Sequence, residues 1–171
     1  MTAALLCLPK DDSNFFNENF AVNKNCSIFA ATNKKLMEKK NPIEEALRYV
    51  DNAQDILRTN GDLDPETHSY TDRKYVKMAG NTLWNGVLFI LDTVFQVKKN
   101  KRHRPDISDY QQAVATRDKK LLALVNIGYD IMHLSMGYDG IIDKKTCDRG
   151  FQVAKEIIDR CTVMLPVVPA A

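Results

Sequence analysis

The stretch that decides the fold runs from Asp72 to Lys99, DRKYVKMAGNTLWNGVLFILDTVFQVKK. Its apolar residues recur every three or four positions, which is the period of an α-helix and not of a β-strand. Further apolar side chains widen this stripe, so we predict a long helix that either lies centrally in a bundle or also meets a second subunit. The stripe is Val76, Ala79, Leu83, Val87, Ile90, Val94 and Val97, and the widening residues are Tyr75, Met78, Leu88, Leu91 and Phe95.

Two glycines, Gly80 and Gly86, interrupt this predicted helix. Glycine in a helix interior is less stable than alanine by about 1 kcal/mol. We therefore expect both positions to permit the close approach of a neighbouring segment.

Three further amphipathic segments flank the central one, and each opens on a residue that can cap a helix. The caps are Asn41, Ser108 in a capping box with Gln111, and Asp143. The segments span residues 41–60, 108–136 and 143–164, and a turn is expected at 137–140. Four such segments without a credible strand pair predict an all-α protein, an antiparallel four-helix bundle over residues 37–165.

Residues 1–36 contain many asparagines among scattered apolar side chains, without a sustained period. We expect them to form an irregular or poorly ordered N-terminal extension. Met37 and the residues after it are typical of a natural start, which raises the hypothesis that the extension is a misassigned start. Residues 166–171 are expected to form a C-terminal tail.

The composition of the chain favours a location in the cytoplasm. The net charge is only +2, and no apolar run approaches the roughly 18 residues that a membrane span needs. None of the four cysteines lies in a CxxC motif. Cys147 and Cys161 are separated on one predicted helix by roughly 21 Å, too far for a disulfide. We expect reduced, mostly buried thiols.

A candidate polar pocket involves the polar side chains near Trp84 and those of the third predicted helix. The alternatives are a hydrated face or hydrogen bonds between helices. For Arg117 we expect an ion pair with Asp51, Asp55 or Asp92. The candidate pocket residues are Asn81, Trp84, Asn85, Asp92, Arg117, Asp130 and His133.

A basic run after the central helix is a candidate phosphate contact, although the preference for cations at a helix C-terminus is enough to explain it. It consists of Lys98, Lys99, Lys101, Arg102 and Arg104. Asp130 and His133 could supply two metal ligands, but no matching carboxylates accompany them. No nucleophile or phosphate-loop motif occurs, so we predict no metal, no cofactor and no catalytic residue.

Three stretches resemble an uncharacterised Bacteroidota family of small helical proteins that carry a domain of unknown function. They are NPIEEALRYVDNA (41–53), KYVKMAGNTLWNG (74–86) and HLSMGYDG (133–140). The resemblance covers residues 37–165 and implies no activity.

More distantly, the helix order resembles that of HEPN domains, helical bundles that often dimerise and act as ribonucleases or as partners of nucleotidyltransferases. Their ribonuclease pattern places an arginine a few residues before a histidine. Here the nearest arginine before His133 is Arg117, so the resemblance implies no nuclease activity.

We therefore predict a non-enzymatic interaction or dimerisation module. It would form a homodimer through part of the apolar face of the second helix, or bind another protein. The alternative is a HEPN-derived binder of RNA or a nucleotide, as a partner of a nucleotidyltransferase.

Overall fold

The protein is described here by a computed structural model, which defines residues 41–97 and 105–165. All of these residues belong to the second of two units into which the chain divides, Lys39–Ala171. The expected extension at 1–36 and the tail at 166–171 lie outside the described residues. The elements are α1 (Pro42–Asn60), β1 (Leu63–Asp64), β2 (Ser69–Tyr70), α2 (Arg73–Phe95), α3 (Ile107–Ala115), α4 (Lys119–Gly128), a π-helix (Tyr129–Asp139) and α5 (Lys144–Met164).

Helix α2 lies at the centre of the described fold, as its wide apolar face predicts. It packs against α1, the π-helix and α5. The predicted stripe from Val76 to Val94 is buried, and so are Leu91 and Phe95 from the widened face. Tyr75, Leu88 and Val97 are half-buried, and Met78 is 44% exposed. Most of the apolar surface of α2 is therefore covered within the chain.

Gly80 and Gly86 are the points at which neighbours come closest to α2. A Cβ atom at Gly80 would lie 2.6 Å from Cβ of Met136 and 2.7 Å from the backbone nitrogen of Gly137. At Gly86 it would lie 2.6 Å from Cβ of Tyr49. These distances are too short for real atoms, which confirms the expectation of close approach.

The first and last predicted helices are confirmed together with their caps. Asn41 accepts a hydrogen bond from the backbone N–H of Ile43 at 3.1 Å, ahead of α1. Asp143 accepts one from the backbone N–H of Thr146 at 2.8 Å, ahead of α5. The bonds from Thr146 stabilise the carboxylate of Asp143 and lower its pKa.

The prediction of one continuous third helix is wrong. The segment breaks between Ala115 and Lys119 because Asp118 turns its carboxylate onto the N–H groups that open α4. That carboxylate also accepts two bonds from Arg160 of α5, at 3.0 and 2.6 Å. The cap of α3 is Asp106, in a capping box with Asp109, and not Ser108.

The end of this segment is a π-helix, which the sequence pattern did not predict. It extends through Asp139, so the turn expected at 137–140 is confined to Gly140, which has a φ of +68°. Glycine adopts this left-handed conformation without the steric cost that a Cβ atom would add.

Two further expectations are corrected. Residues 63–70 form a short antiparallel hairpin in which Leu63 pairs with Tyr70, where no strand pair was predicted. Helix α2 ends at Phe95 and not at Lys99, because Gln96 takes a left-handed conformation with a φ of 50°. The prediction of a mostly helical protein is confirmed, although the described ranges hold five α-helices and a π-helix in place of four helices.

None of the helices in the described ranges is long and apolar enough to cross a membrane.

Replacement of Gly80 by alanine tests the close contact between α2 and the π-helix. Helix propensity alone would favour alanine by about 1 kcal/mol. The clash with Met136 and the backbone at Gly137 costs about 1–3 kcal/mol, so we expect a net loss of stability in urea denaturation. Asn52→Ala, at an exposed position of α1, is the control and should be nearly neutral. A stabilised Gly80→Ala variant would contradict the contact.

Candidate functional site

A pocket of about 390 Å³ opens between α2, the start of α3 and the π-helix. Its wall combines aromatic, amide and aliphatic side chains. It is lined by Asn81, Trp84, Asn85, Leu88, Pro105, Asp106, Ile107, Tyr110, Tyr129 and His133. The volume lies within the range of about 300–1,000 Å³ that is usual for small-molecule sites.

Three aromatic side chains form the inner wall of the pocket. Trp84 is only 5% exposed, and its ring meets that of Tyr129 edge-on with centroids 5.8 Å apart. The ring of His133 lies 5.1 Å from that of Tyr129 and 6.2 Å from that of Trp84. Tyr129 and His133 come from the π-helix and Trp84 from α2, so the cluster depends on the contact between these two helices.

The imidazole of His133 has an unsatisfied nitrogen. Its Nδ1 atom is buried and has no hydrogen-bonding partner in the part of the chain that the structure describes. The other ring nitrogen, Nε2, is not among the enclosed atoms without a partner. Leaving a buried polar atom unpaired costs about 1–3 kcal/mol.

Two asparagines of α2 supply amide groups at the mouth of the pocket. Asn81 donates to the carbonyl of Lys77 at 2.9 Å and to that of Gly137 in the π-helix at 3.4 Å. Asn81 thus makes a hydrogen bond between helices, which is one of the alternatives that the sequence left open. Asn85 is exposed and makes no hydrogen bond within the described ranges, so both its carbonyl and its NH₂ group are available.

The structure brings four of the seven predicted pocket residues together, namely Asn81, Trp84, Asn85 and His133. Asp92 lies behind the wall and accepts a hydrogen bond from the Tyr110 hydroxyl at 2.9 Å. Asp130 is exposed on the π-helix and is not part of the lining.

Arg117 is also absent from the pocket, and the expected ion pair is not formed in the described part of the chain. Its guanidinium donates to the carbonyl of Val94 at 3.4 Å and lies 5.3 Å from the ring centre of Phe95. It therefore closes the C-terminal end of α2. A helix end with free carbonyl groups attracts a cation as an acidic side chain does.

Tyr110 and Tyr129 line the pocket but were not predicted to do so. Tyr129 lies four positions before His133, a spacing that places two side chains near each other and that could have indicated the aromatic pair.

The basic run Lys98, Lys99, Lys101, Arg102 and Arg104 lies outside the described residues. It is connected to the pocket through the chain, since Arg104 directly precedes Pro105 of the lining. Its predicted contact with phosphate stays a prediction.

The described cysteines are poor nucleophiles. Burial raises the pKa of Cys147 and of Cys161 to about 12, so both thiols stay protonated at neutral pH. Both are free and buried, as expected for these two positions. Within residues 41–97 and 105–165, no group of three or more histidine, cysteine or acidic side chains could hold a metal ion.

A second cavity, of about 370 Å³, lies beside the hairpin and has a mostly apolar floor that includes Leu57, Tyr70 and Phe151. Its charged rim residues, Arg58 and Asp148, already pair with Asp55 and Lys144. It offers fewer free polar groups than the first cavity and is the weaker candidate.

Replacing His133 by phenylalanine tests the unpaired Nδ1 atom. The variant keeps an aromatic ring but removes the unsatisfied nitrogen, so we expect the free energy of unfolding to rise by about 1 kcal/mol. Tyr110→Phe is the opposite control, since it removes a hydroxyl that is bonded to Asp92 and should destabilise. Thermal and urea denaturation measure both. A marked loss of stability in His133→Phe would show that Nδ1 has a partner in solution.

Comparison with known proteins places this fold among uncharacterised relatives. A solved structure of a protein of unknown function from Dyadobacter fermentans has a TM-score of 0.67 and 43% sequence identity. The match covers 72% of this chain and 96% of that one. None of the curated proteins compared with the chain matches it. Residues 41–163 match the family described as Domain of unknown function (DUF5618), and the chain belongs to this family.

Proposed function

We propose that the protein is a non-enzymatic binding module that receives a small ligand, or a side chain of a partner protein, in the pocket beside Trp84. The observation that carries this proposal is the buried, unpaired Nδ1 of His133 in an aromatic wall. A protein that keeps an unsatisfied polar atom at a concave surface gives up stability there. A loss of folding stability of this kind is typical of a functional site.

The geometry favours binding over catalysis. A catalytic histidine is normally oriented by a carboxylate, as in a Ser-His-Asp triad. His133 makes no hydrogen bond to Asp130 or to any other described residue, and neither described thiol touches the pocket. Stacking and hydrogen bonding are what the lining can provide.

Reduced thiols at Cys147 and Cys161 support a cytoplasmic location as part of the proposal.

Trp84 makes the proposed binding directly measurable, because it is the single tryptophan of the chain and lies in the pocket wall. We expect a saturable change of its fluorescence with at least one member of a panel of nucleosides, amino acids, aromatic amines and carboxylates. Calorimetry should give the same affinity.

A matched pair of variants localises the response. His133→Phe should weaken binding, because it removes the polar atoms of the inner wall, whereas Asn52→Ala on α1 should leave binding unchanged. No response to any class of compound, or an equal response in both variants, would contradict the proposed site.

A homodimer remains part of the proposal. Most of the apolar face of α2 is covered by α1, the π-helix and α5, and its exposed remainder is Met78. We expect light scattering to report the mass of two chains and Met78→Lys to shift the protein to a monomer. Gln152→Lys, at an exposed position of α5, is the control and should stay dimeric. A monomer at high concentration would rule the dimer out.

The second candidate is a HEPN-derived binder of RNA or a nucleotide, associated with a nucleotidyltransferase. Two observations favour it. Aromatic rings and asparagine amides are the groups with which proteins stack on and read bases. The basic run at 98–104 also immediately precedes Pro105 of the lining in the sequence, so a ligand's phosphate would have cations near it along the chain.

A further inference from the structure

We infer that the pocket beside Trp84 takes an uncharged nitrogen heterocycle of the nucleobase type, whose polar edge carries both a hydrogen-bond donor and an acceptor. The inference rests on the proposed binding function and names the class of ligand. Three properties of the described lining support it: the aromatic wall, the free polar groups and the charges.

The aromatic wall favours a flat ring over an aliphatic chain. Trp84, Tyr129 and His133 lie within 5.1–6.2 Å of one another, centre to centre. An added ring extends such a cluster through offset or edge-on contacts. Stacking of a base on an aromatic side chain is worth about 1–3 kcal/mol and does not depend on which base it is.

The free polar groups of the lining include both donors and acceptors. Asn85 presents a carbonyl and an NH₂ group without a partner in the described ranges. His133 has its Nδ1 enclosed, so Nε2 is the ring nitrogen that remains for a ligand. An asparagine amide matches a ring edge on which an amino group stands beside a ring nitrogen, as in adenine. A hydrocarbon ring would leave these groups unpaired.

The charges argue against an ionic ligand. Asp106 is the one carboxylate among the described lining residues, and its Oδ1 atom accepts bonds from Ser108 and Asp109 at the N-terminus of α3. Its negative charge is therefore already balanced in part by the positive end of that helix. The described lining contains no lysine or arginine that would hold an anion. An uncharged ring is the ligand that this wall accommodates without an unpaired charge.

The test compares four probes by Trp84 fluorescence and calorimetry on the full chain. Adenosine represents the uncharged heterocycle, benzyltrimethylammonium the aromatic cation, benzoate the aromatic anion, and toluene a ring without a polar edge. We expect adenosine to bind at least about tenfold more tightly than each of the others. A short oligoadenylate distinguishes the source of the base, because tighter binding than adenosine points to RNA and weaker binding to a free nucleoside.

Two variants locate the recognition of the ring edge. Asn85→Ala should weaken adenosine binding about tenfold and leave toluene unaffected, because it removes the amide but not the aromatic wall. Asn52→Ala, an exposed asparagine of α1, is the matched control and should change neither. Circular dichroism checks that both variants are folded.

The outcomes separate this inference from the function on which it rests. If any of the other three probes binds as tightly as adenosine, or if Asn85→Ala binds adenosine as the parent does, the pocket is a binding site of another class and the inference fails. If none of the probes and no other compound changes the fluorescence of Trp84, the binding function itself fails.

Discussion

The structure depends on the closeness of α2 to its two neighbours at Gly80 and Gly86. At Gly80, the backbone of the π-helix lies where a side chain would otherwise begin, and at Gly86 the same is true of Tyr49 in α1. Each glycine lowers the helix propensity of α2. The resulting loss of stability is offset by the apolar area that the close approach buries. Helix α2 is consequently enclosed on several sides, which explains why its apolar surface is too wide for an ordinary amphipathic helix.

The candidate site is a consequence of the same contact. Trp84 lies one turn beyond Gly80, so the helix that approaches Gly80 also brings Tyr129 and His133 against the indole ring. Asn81 secures this arrangement with its bond to the carbonyl of Gly137. The rigid part of the pocket is thus fixed by main-chain packing. The mouth, where Asn85 is exposed, is free to meet a ligand.

The sequence predicted those parts of the fold that local physics determines. The helical period identified α2, and side-chain caps identified the start of α1 at Asn41 and of α5 at Asp143. It did not predict the break at Asp118, since that carboxylate is drawn away from a continuous helix by Arg160, which lies 42 positions further along the chain. It also missed the hairpin, which has only two residue pairs of its own and is joined to the rest of the fold by the bond from the backbone N–H of Tyr70 to the carbonyl of Ile142.

Helix geometry explains why only some of the pocket residues were predicted from the sequence. Asp130 and His133 were grouped because residues three apart share a face of an α-helix. In a π-helix the hydrogen bond spans five residues and each turn is wider, so residues three apart diverge and residues four apart come closer together. The partner of His133 is therefore Tyr129, four positions before it, and Asp130 points to solvent. Helix α2 is a regular α-helix, so the sequence correctly placed Asn81, Trp84 and Asn85 on one side of it. It did not predict Tyr129, which lies opposite them on the π-helix.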